Sequence, residues 1–275
     1  MIIGIVGLGL IGGSFAKATK AYTAHRVYGI DTDKKSLDDA IKDGSVDRVL
    51  DDENIKEADI LLIALNPSAA VEFVKNNRNI KGILIDLCGV KRAVSEVIVP
   101  LSKKHGFKYI GGHPMAGREV GGYQNSIPYL FQGTSMILLP HGQEIESYVI
   151  KYFKDIGFGQ IKLSEDDAHD RIIAFTSQMA HVVSNAYVKS ATGKEHFGYS
   201  TDSLKDLTRV ATLDEKLWTE LFMTNRDNLV FELDTLISGL MQYRNAIDKG
   251  DYDRLEELLK EGKEAKTVLY PKKEG

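Results

Sequence analysis

The stretch that decides the fold is Ile3-Gly4-Ile5-Val6-Gly7-Leu8-Gly9-Leu10-Ile11-Gly12-Gly13-Ser14. It joins an apolar strand pattern, a glycine-rich turn and the start of a helix. Gly7 permits a tight turn, Gly9 lets the backbone approach a ligand closely, and Gly12 permits close packing of helix on strand. A glycine pattern alone would be weak evidence for a phosphate-binding turn. Here the strand before it and the helix after it supply the expected context, so the segment predicts such a turn.

The residues that follow complete a dinucleotide-binding unit. The helix start at Leu10 and Ile11 presents unpaired N–H groups and the positive end of the helix dipole to phosphates. A second strand, Val27–Ile30, ends at Asp31. This acid lies roughly 20 residues past the last motif glycine, where a carboxylate accepts hydrogen bonds from the adenosine ribose. Because a carboxylate there repels a 2′-phosphate, the cofactor is predicted to be NAD rather than NADP, although two lysines follow closely.

Two domains are predicted, with a boundary near residue 165. Up to residue 164, short apolar strands alternate with amphipathic helices, which is typical of an α/β doubly wound sheet of the Rossmann type, mostly parallel. From 165 to 275 helical spacing dominates, and no proline occurs between 141 and 270. The apolar surplus on these helices predicts an all-α domain that forms a homodimer. The predicted strands are Ile2–Val6, Val27–Ile30, Ile60–Leu65, Ile83–Leu87, Tyr109–Gly111, Met136–Leu139 and Gln160–Leu163.

Composition excludes several classes of protein. The net charge of −4 over 275 residues argues against nucleic acid as a partner. The single cysteine, Cys88, rules out an intrachain disulfide and fits a reducing compartment, so we expect a cytoplasmic protein. Glycines interrupt the first apolar run, so neither a signal peptide nor a membrane span is expected. No His, Cys and carboxylate set has the spacing of metal ligands, so no metal is expected.

A histidine follows the predicted strand Tyr109–Gly111, in the loop Gly111-Gly112-His113-Pro114-Met115-Ala116-Gly117. Ligands of open α/β sheets bind at the carboxyl ends of the strands, where His113 is expected. Imidazole titrates near neutrality and can take the proton of an alcohol as a hydride leaves its carbon. We therefore predict His113 to be the catalytic base of a dehydrogenase.

Three motifs in order resemble the prephenate dehydrogenase family of tyrosine biosynthesis. They are the glycine-rich turn, the segment Gly112–Gly117, and Leu204-Lys205-Asp206-Leu207-Thr208-Arg209-Val210-Ala211. The resemblance spans both predicted domains. It implies an NAD-dependent oxidative decarboxylation of prephenate to 4-hydroxyphenylpyruvate, CO2 and NADH, or the same reaction of arogenate.

The resemblance also implies roles for residues. His113 matches the family's catalytic histidine, and Arg209 matches an arginine that holds a substrate carboxylate, for which a guanidinium is well suited. His181 matches a polar helix position at the substrate site. Lys205 lies four residues before Arg209 and is a candidate electrostatic helper, with a solvated lysine as the alternative. We expect Arg209, His181 and either Lys205 or Arg118 to supply the positive charge that a dicarboxylate needs.

One position departs from the family pattern. Many members carry a serine that orients the catalytic histidine where this chain has Gly89, in Asp86-Leu87-Cys88-Gly89-Val90-Lys91. Cys88 is expected beside the cofactor, although a thiol is a weak donor and a small buried apolar role is the alternative. Asn66 is also expected beside the cofactor, in a turn after the strand Ile60–Leu65. His169-Asp170 is interpreted as a helix start and Trp218 as a core residue.

Two rival functions remain open. A β-hydroxyacid dehydrogenase of similar layout would need a lysine early on the first long helix of the second domain, where only Lys189 occurs, near the end. A non-catalytic NAD-binding sensor would need no pairing of a base with an arginine. The chain ends at Gly275, so we expect no regulatory domain after the helical one and expect tyrosine, if it inhibits, to act at the active site.

Overall fold

The computed structural model describes residues 1–118 and 120–270. Within these ranges no helix combines the length and the apolar character that a membrane span needs. Eight strands form one sheet in the order β3-β2-β1-β4-β5-β6-β7-β8. All neighbouring strands are parallel except β6 and β7. The strands are β1 Ile2–Val6, β2 Arg26–Ile30, β3 Arg48–Val49, β4 Ile60–Ile63, β5 Ile83–Asp86, β6 Lys108–Pro114, β7 Ser135–Leu139 and β8 Gln160–Leu163.

Helices cover both faces of this sheet, and the chain after β8 is helical. The apolar strands are buried because each face packs on helices, as in other doubly wound folds. The helices are α1 Leu10–Tyr22, α2 Lys34–Lys42, α3 Pro67–Asn76, α4 Arg92–His105, α5 Ser147–Asp155, α6 Asp166–Ile173, α7 Met179–Tyr187, α8 Asp202–Thr208, α9 Glu215–Thr224, α10 Arg226–Lys249 and α11 Tyr252–Leu269. A wider π turn, Ala174–Gln178, joins α6 to α7.

The turn between β1 and α1 has the geometry that its glycines predict. Gly7 adopts a left-handed backbone with φ of +88°, and a Cβ there would lie 2.5 Å from the carbonyl oxygen of Ala64. A Cβ on Gly12 would lie 1.8 Å from the carbonyl oxygen of Gly7, so only glycine lets α1 pack this closely. The sheet order reverses between β1 and β4, and this switch point lies directly beside the turn.

Strand β6 is longer than the sequence predicts. The predicted strand ends at Gly111 and leaves His113 in a loop, whereas β6 continues to Pro114. The reason is its antiparallel partner: His113 pairs with Ile137 of β7, and the N–H of Met115 still donates to the carbonyl of Ser135 at 2.8 Å. Strand β3, which has two residues and lies at the edge of the sheet, matches no predicted strand.

The chain divides into two compact units, residues 1–226 and 227–275. In the first unit, Phe15, Phe131, Phe153 and Phe158 pack together on one face of the sheet. In the second unit, α10 and α11 are joined where the hydroxyl of Tyr243 donates to the carbonyl of Leu258 at 2.9 Å. The boundary near residue 165 stays a prediction.

Candidate active site

A cleft of roughly 660 Å³ lies in the first unit, beside the glycine-rich turn. Its volume is within the range of about 300–1,000 Å³ that is common for ligand sites. The cleft brings residues of the turn together with His113, His181 and Arg209, each of which lies more than 100 residues after the turn in the chain. Predicted site residues in its wall are Gly9, Leu10, Ile11, Asn66, Cys88, His113, His181 and Arg209. Gly7, Gly12, Asp31 and Lys205 lie outside the wall.

The glycine-rich turn fits the pyrophosphate of a dinucleotide. A Cβ on Gly9 would meet nothing within 4 Å, so the backbone here borders open space. Helix α1 begins at Leu10 and points its first N–H groups at that space. Asp31 follows β2, and its carboxylate accepts hydrogen bonds from the backbone N–H groups of Leu8 at 2.5 Å and Asp33 at 2.8 Å. These contacts fix a carboxylate beside the turn, where the ribose of a dinucleotide would lie.

Asn66 and Cys88 follow the neighbouring strands β4 and β5. Asn66 caps helix α3, because its side-chain oxygen accepts from the N–H of Ala69 at 2.9 Å. The thiol of Cys88 is buried, and its Sγ lies 3.6 Å from the carbonyl oxygen of Leu65. Burial and the nearby Asp86 raise the pKa of this thiol well above its ordinary value, so it stays protonated. Both side chains therefore shape the wall of the cleft.

A buried ion pair anchors the backbone next to His113. The ammonium of Lys91 lies 2.5 Å from Oδ1 of Asp86 and donates to the carbonyl of Gly112, the residue before His113. Both charged side chains are fully buried. Burial lowers the pKa of His113 well below its ordinary value, and His169 and Lys91 lower it further. The imidazole is therefore neutral near pH 7, which is the form that can accept a proton.

A second histidine, His169, contacts His113, and no sequence motif indicated this contact. Nδ1 of His113 lies 2.9 Å from Nε2 of His169, and Nδ1 of His169 lies 2.7 Å from Oδ1 of Asp170. His169 and Asp170 do lie near the start of a helix, α6, as interpreted, but that interpretation did not include their contacts with His113 and with each other. The His-Asp dipeptide within a helix was the only sequence feature that could have suggested this contact of His169. Nothing in the sequence indicated that α6 packs beside the end of β6.

His181 and Arg209 line the cleft from the helical part of the chain after β8. Nδ1 of His181 donates to the carbonyl of Val210 at 2.9 Å, and its ring packs on Trp218 with 3.6 Å between centroids. Trp218 thus lines the cleft, so its interpretation as a core residue is wrong. Burial lowers the pKa of His181, the bond to Val210 opposes this shift and Arg209 adds to it. The lowered pKa favours the neutral ring of His181 near pH 7 when no substrate is bound, and its supply of positive charge to a substrate stays a prediction.

The two remaining basic candidates differ in position. Arg118 lines the cleft and donates to the carbonyl of Asn125 at 3.0 Å. Lys205 is exposed on α8, outside the wall of the cleft, and its role in substrate binding stays a prediction. Among the described residues, the guanidinium groups in the wall are those of Arg118 and Arg209.

Comparison with known families identifies this arrangement. The family described as "Prephenate dehydrogenase, nucleotide-binding domain" matches residues 15–161. The family described as "Prephenate dehydrogenase, dimerization domain" matches residues 165–261. The chain belongs to the prephenate dehydrogenase family. It is thus an oxidoreductase, and the prediction of a nucleotide-binding Rossmann-type domain followed by a helical domain is confirmed.

Relatives and solved structures of prephenate dehydrogenases agree over nearly the whole chain. Cyclohexadienyl dehydrogenase of Zymomonas mobilis is 31% identical in an alignment that covers 97% of this chain and 95% of the relative. Prephenate dehydrogenase of Bacillus subtilis is 24% identical over 98% of this chain and 76% of its own. The structure of Aquifex aeolicus prephenate dehydrogenase with hydroxyphenyl propionate and NAD+ has a TM-score of 0.82, 24% identity and 98% coverage of both chains. Synechocystis arogenate dehydrogenase has a TM-score of 0.80, 23% identity and covers 98% of this chain and 100% of its own.

Proposed function

We propose that this protein oxidatively decarboxylates prephenate with NAD as the hydride acceptor. The observation that carries the proposal is one cleft whose wall holds a neutral histidine, His113, an arginine, Arg209, and the glycine-rich turn. Family membership supports the same reaction. Relatives named prephenate dehydrogenase and a structure solved with NAD+ support the choice of substrate and cofactor.

The residues of the cleft divide the work between binding and proton transfer. NAD, when bound at the turn, would accept the hydride from the ring carbon that carries the hydroxyl group. His113 takes the hydroxyl proton as that hydride leaves. Arg209 holds a carboxylate of the substrate and so orients the ring carbon. Asp31 accepts hydrogen bonds from the ribose and disfavours a 2′-phosphate.

Decarboxylation allows His113 to return the proton that it accepted. When the ring carboxylate leaves as CO2, the electron pair of the broken C–C bond enters the ring and makes it aromatic. The oxygen on the former hydroxyl carbon then takes the proton back from His113 and becomes a phenol. Prephenate and NAD+ thus give 4-hydroxyphenylpyruvate, CO2 and NADH without net release of a proton. A partly buried base suits this cycle, because it only stores the proton within one turnover.

The test is the formation of NADH, followed by absorbance, with prephenate, arogenate and a simple β-hydroxy acid. Arogenate is the second candidate substrate, because the relative at 31% identity is a cyclohexadienyl dehydrogenase. We expect turnover of prephenate and none of the β-hydroxy acid. His113→Asn should lower kcat about 10²- to 10⁴-fold, the range for loss of a general base, while calorimetry shows unchanged NAD binding. Turnover of none of the three compounds would reject the enzymatic proposal in favour of a sensor.

The helical part supports a homodimer as the working assembly. Residues 165–261 match the family's dimerization domain. Large apolar side chains on α10 are exposed, among them Phe231 at 67% and Ile247 at 64%. Burial of such side chains against a second copy would stabilise the assembly. Sedimentation of the protein and of Phe231→Glu tests this, because a charge at a dimer contact should shift the mass towards that of one chain.

A further inference from the structure

Three side chains form a chain of contacts behind the cleft. The carboxylate of Asp170 lies 2.7 Å from Nδ1 of His169, whose Nε2 lies 2.9 Å from Nδ1 of His113. Asp170 is fully buried and His169 nearly so. The two rings are tilted by 59° with 5.1 Å between their centroids. Every link in this chain uses a ring nitrogen, so each ring can be assigned a donor and an acceptor.

The carboxylate of Asp170 is surrounded by hydrogen-bond donors. The backbone N–H of Lys91 donates to Oδ1 at 2.8 Å and that of Arg92 to Oδ2 at 3.0 Å. These groups belong to the start of helix α4, where an anion is stabilised by the helix dipole. An ionised carboxylate only accepts hydrogen bonds, so Nδ1 of His169 carries the proton and donates.

The remaining protons follow from the charge of the two rings. Burial is the largest cause of a lowered pKa in both His113 and His169, so both rings are neutral near pH 7. A neutral imidazole has one N–H group and one lone pair. Because Nδ1 of His169 holds its only proton, Nε2 accepts. His113 must then donate from Nδ1, which leaves a lone pair on its Nε2.

The free nitrogen faces the position that lacks a side chain. A Cβ placed on Gly89 would lie 3.9 Å from Nε2 of His113, and its nearest contact beyond the neighbouring residues in the chain would be Leu221 at 3.5 Å. Gly89 lines the cleft, so Nε2 is open towards the place of the substrate. Since glycine cannot hold the ring from this side, the bond at Nδ1 is the hydrogen bond that orients it.

We propose that His169 and Asp170 are positioning residues that fix the tautomer of His113 and hold its ring with Nε2 free for the substrate hydroxyl. The pair holds the ring at Nδ1, whereas Gly89, where the resemblance places a serine in many family members, lies near Nε2. This inference rests on the proposed role of His113 as the base. His169 itself lines no part of the cleft and acts only through His113.

The tautomer can be observed directly by two-bond ¹H–¹⁵N NMR of protein labelled at histidine. In the unaltered protein at pH 7 we expect the proton of His113 on Nδ1 and a bare Nε2. His169→Gln places an amide oxygen within reach of Nδ1 and can still accept its proton, whereas His169→Phe cannot accept. In the Phe variant, His113 should no longer be held in a single tautomer. Its kcat should fall at least about 10²-fold, within the range for loss of a general base. The Gln variant should keep the tautomer and stay within about tenfold of the unaltered kcat, and KM should change little in both.

His141→Asn is the matched control. His141 is also largely buried and lies 3.3 Å from a carboxylate oxygen of Asp166 and 3.0 Å from Oγ of Ser95, but it is not bonded to His113. Asparagine tolerates its left-handed backbone, with φ of +50°. This variant should change neither the NMR spectrum of His113 nor kcat.

The outcomes separate this inference from the proposed function. A proton on Nε2 of His113 in the unaltered protein would overturn the inference, whether or not the variants fold. So would an unchanged tautomer in His169→Phe, or an equal loss of kcat in the Gln and Phe variants. If instead His113→Asn kept full activity while NMR gave the expected tautomer, the role of His113 as base would fail and the assigned bonds would stand.

Discussion

Nζ of Lys91 lies 2.5 Å from the carbonyl oxygen of Gly112 while it is paired with Asp86, and neither charged side chain reaches solvent. One buried cation therefore joins the end of β5 to the residue before His113. The hydroxyl of Tyr109 donates to the other oxygen of Asp86 at 2.8 Å, so the carboxylate is bonded on both sides. The backbone beneath the base is thus fixed by a closed polar network.

Replacement of the cation in this network should be strongly destabilising. Lys91→Met leaves Asp86 buried and without its counter-charge, which typically lowers the free energy of unfolding by about 3–5 kcal/mol. Urea unfolding measures this loss. Lys20→Met is the control, because its pair with Asp47 is one-third exposed on both sides and should contribute no more than about 1 kcal/mol. Similar losses in the two variants would mean that the buried pair does not support the site.

On the acid side of the pH profile, activity should fall at a lower pH than it would with a histidine of ordinary pKa. Burial holds the pKa of His113 well below 6.5, and the neutral ring is the active form. At saturating NAD, kcat/KM for prephenate should therefore be flat through neutral pH and fall only when the pH drops below 6.5 and His113 takes up a proton. A midpoint at or above 6.5 would contradict the assignment. The residual activity of His113→Asn should lack this limb.

Replacing the guanidinium of Arg209 by an ammonium should weaken binding of the transition state. Arg209→Lys keeps the charge but loses two-point contact with a carboxylate. A charged hydrogen bond contributes about 1.5–3 kcal/mol, so kcat/KM should fall roughly 10- to 100-fold at the usual 1.4 kcal/mol per tenfold. NAD affinity should not change. Lys216→Ala removes a charge from an exposed site on α9 outside the cleft and should leave kcat/KM within twofold. Equal effects of the two variants would indicate a general electrostatic effect.

The charge of Asp31 should set the choice between NAD and NADP. Asp31→Asn retains an oxygen that can accept from the N–H of Leu8 but no longer repels a 2′-phosphate. The ratio of kcat/KM for NAD over NADP should fall by roughly tenfold, equivalent to about 1.4 kcal/mol. Asp33→Asn, two residues later, keeps an N-cap for α2 and should leave the ratio unchanged. An unchanged ratio in Asp31→Asn would assign the selectivity to other residues.

Local patterns were enough to predict the fold, because Gly7, Gly12 and the apolar strands depend on neighbours in sequence. The positions of His113 and Arg209 in one cleft could be expected only through the resemblance to a family. Two features stayed hidden for the same physical reason. The extension of β6 needs its pairing with β7, and the contact of His169 with His113 needs α6 to pack beside β6. Both depend on tertiary contacts between segments that no local pattern connects.

The antiparallel pairing of His113 with Ile137 has a consequence for how substrate preference can change. A base on a paired strand inside the sheet keeps its place when nearby segments are exchanged, since strands hold functional groups more accurately than loops do. The rest of the cleft wall includes His181 on α7, the segment from Arg209 to Asp214, helix α9 and the segment that carries Arg118, all outside the sheet. Selection or engineering can therefore alter which cyclohexadiene side chain is accepted on that wall while the proton-transfer machinery is inherited unchanged.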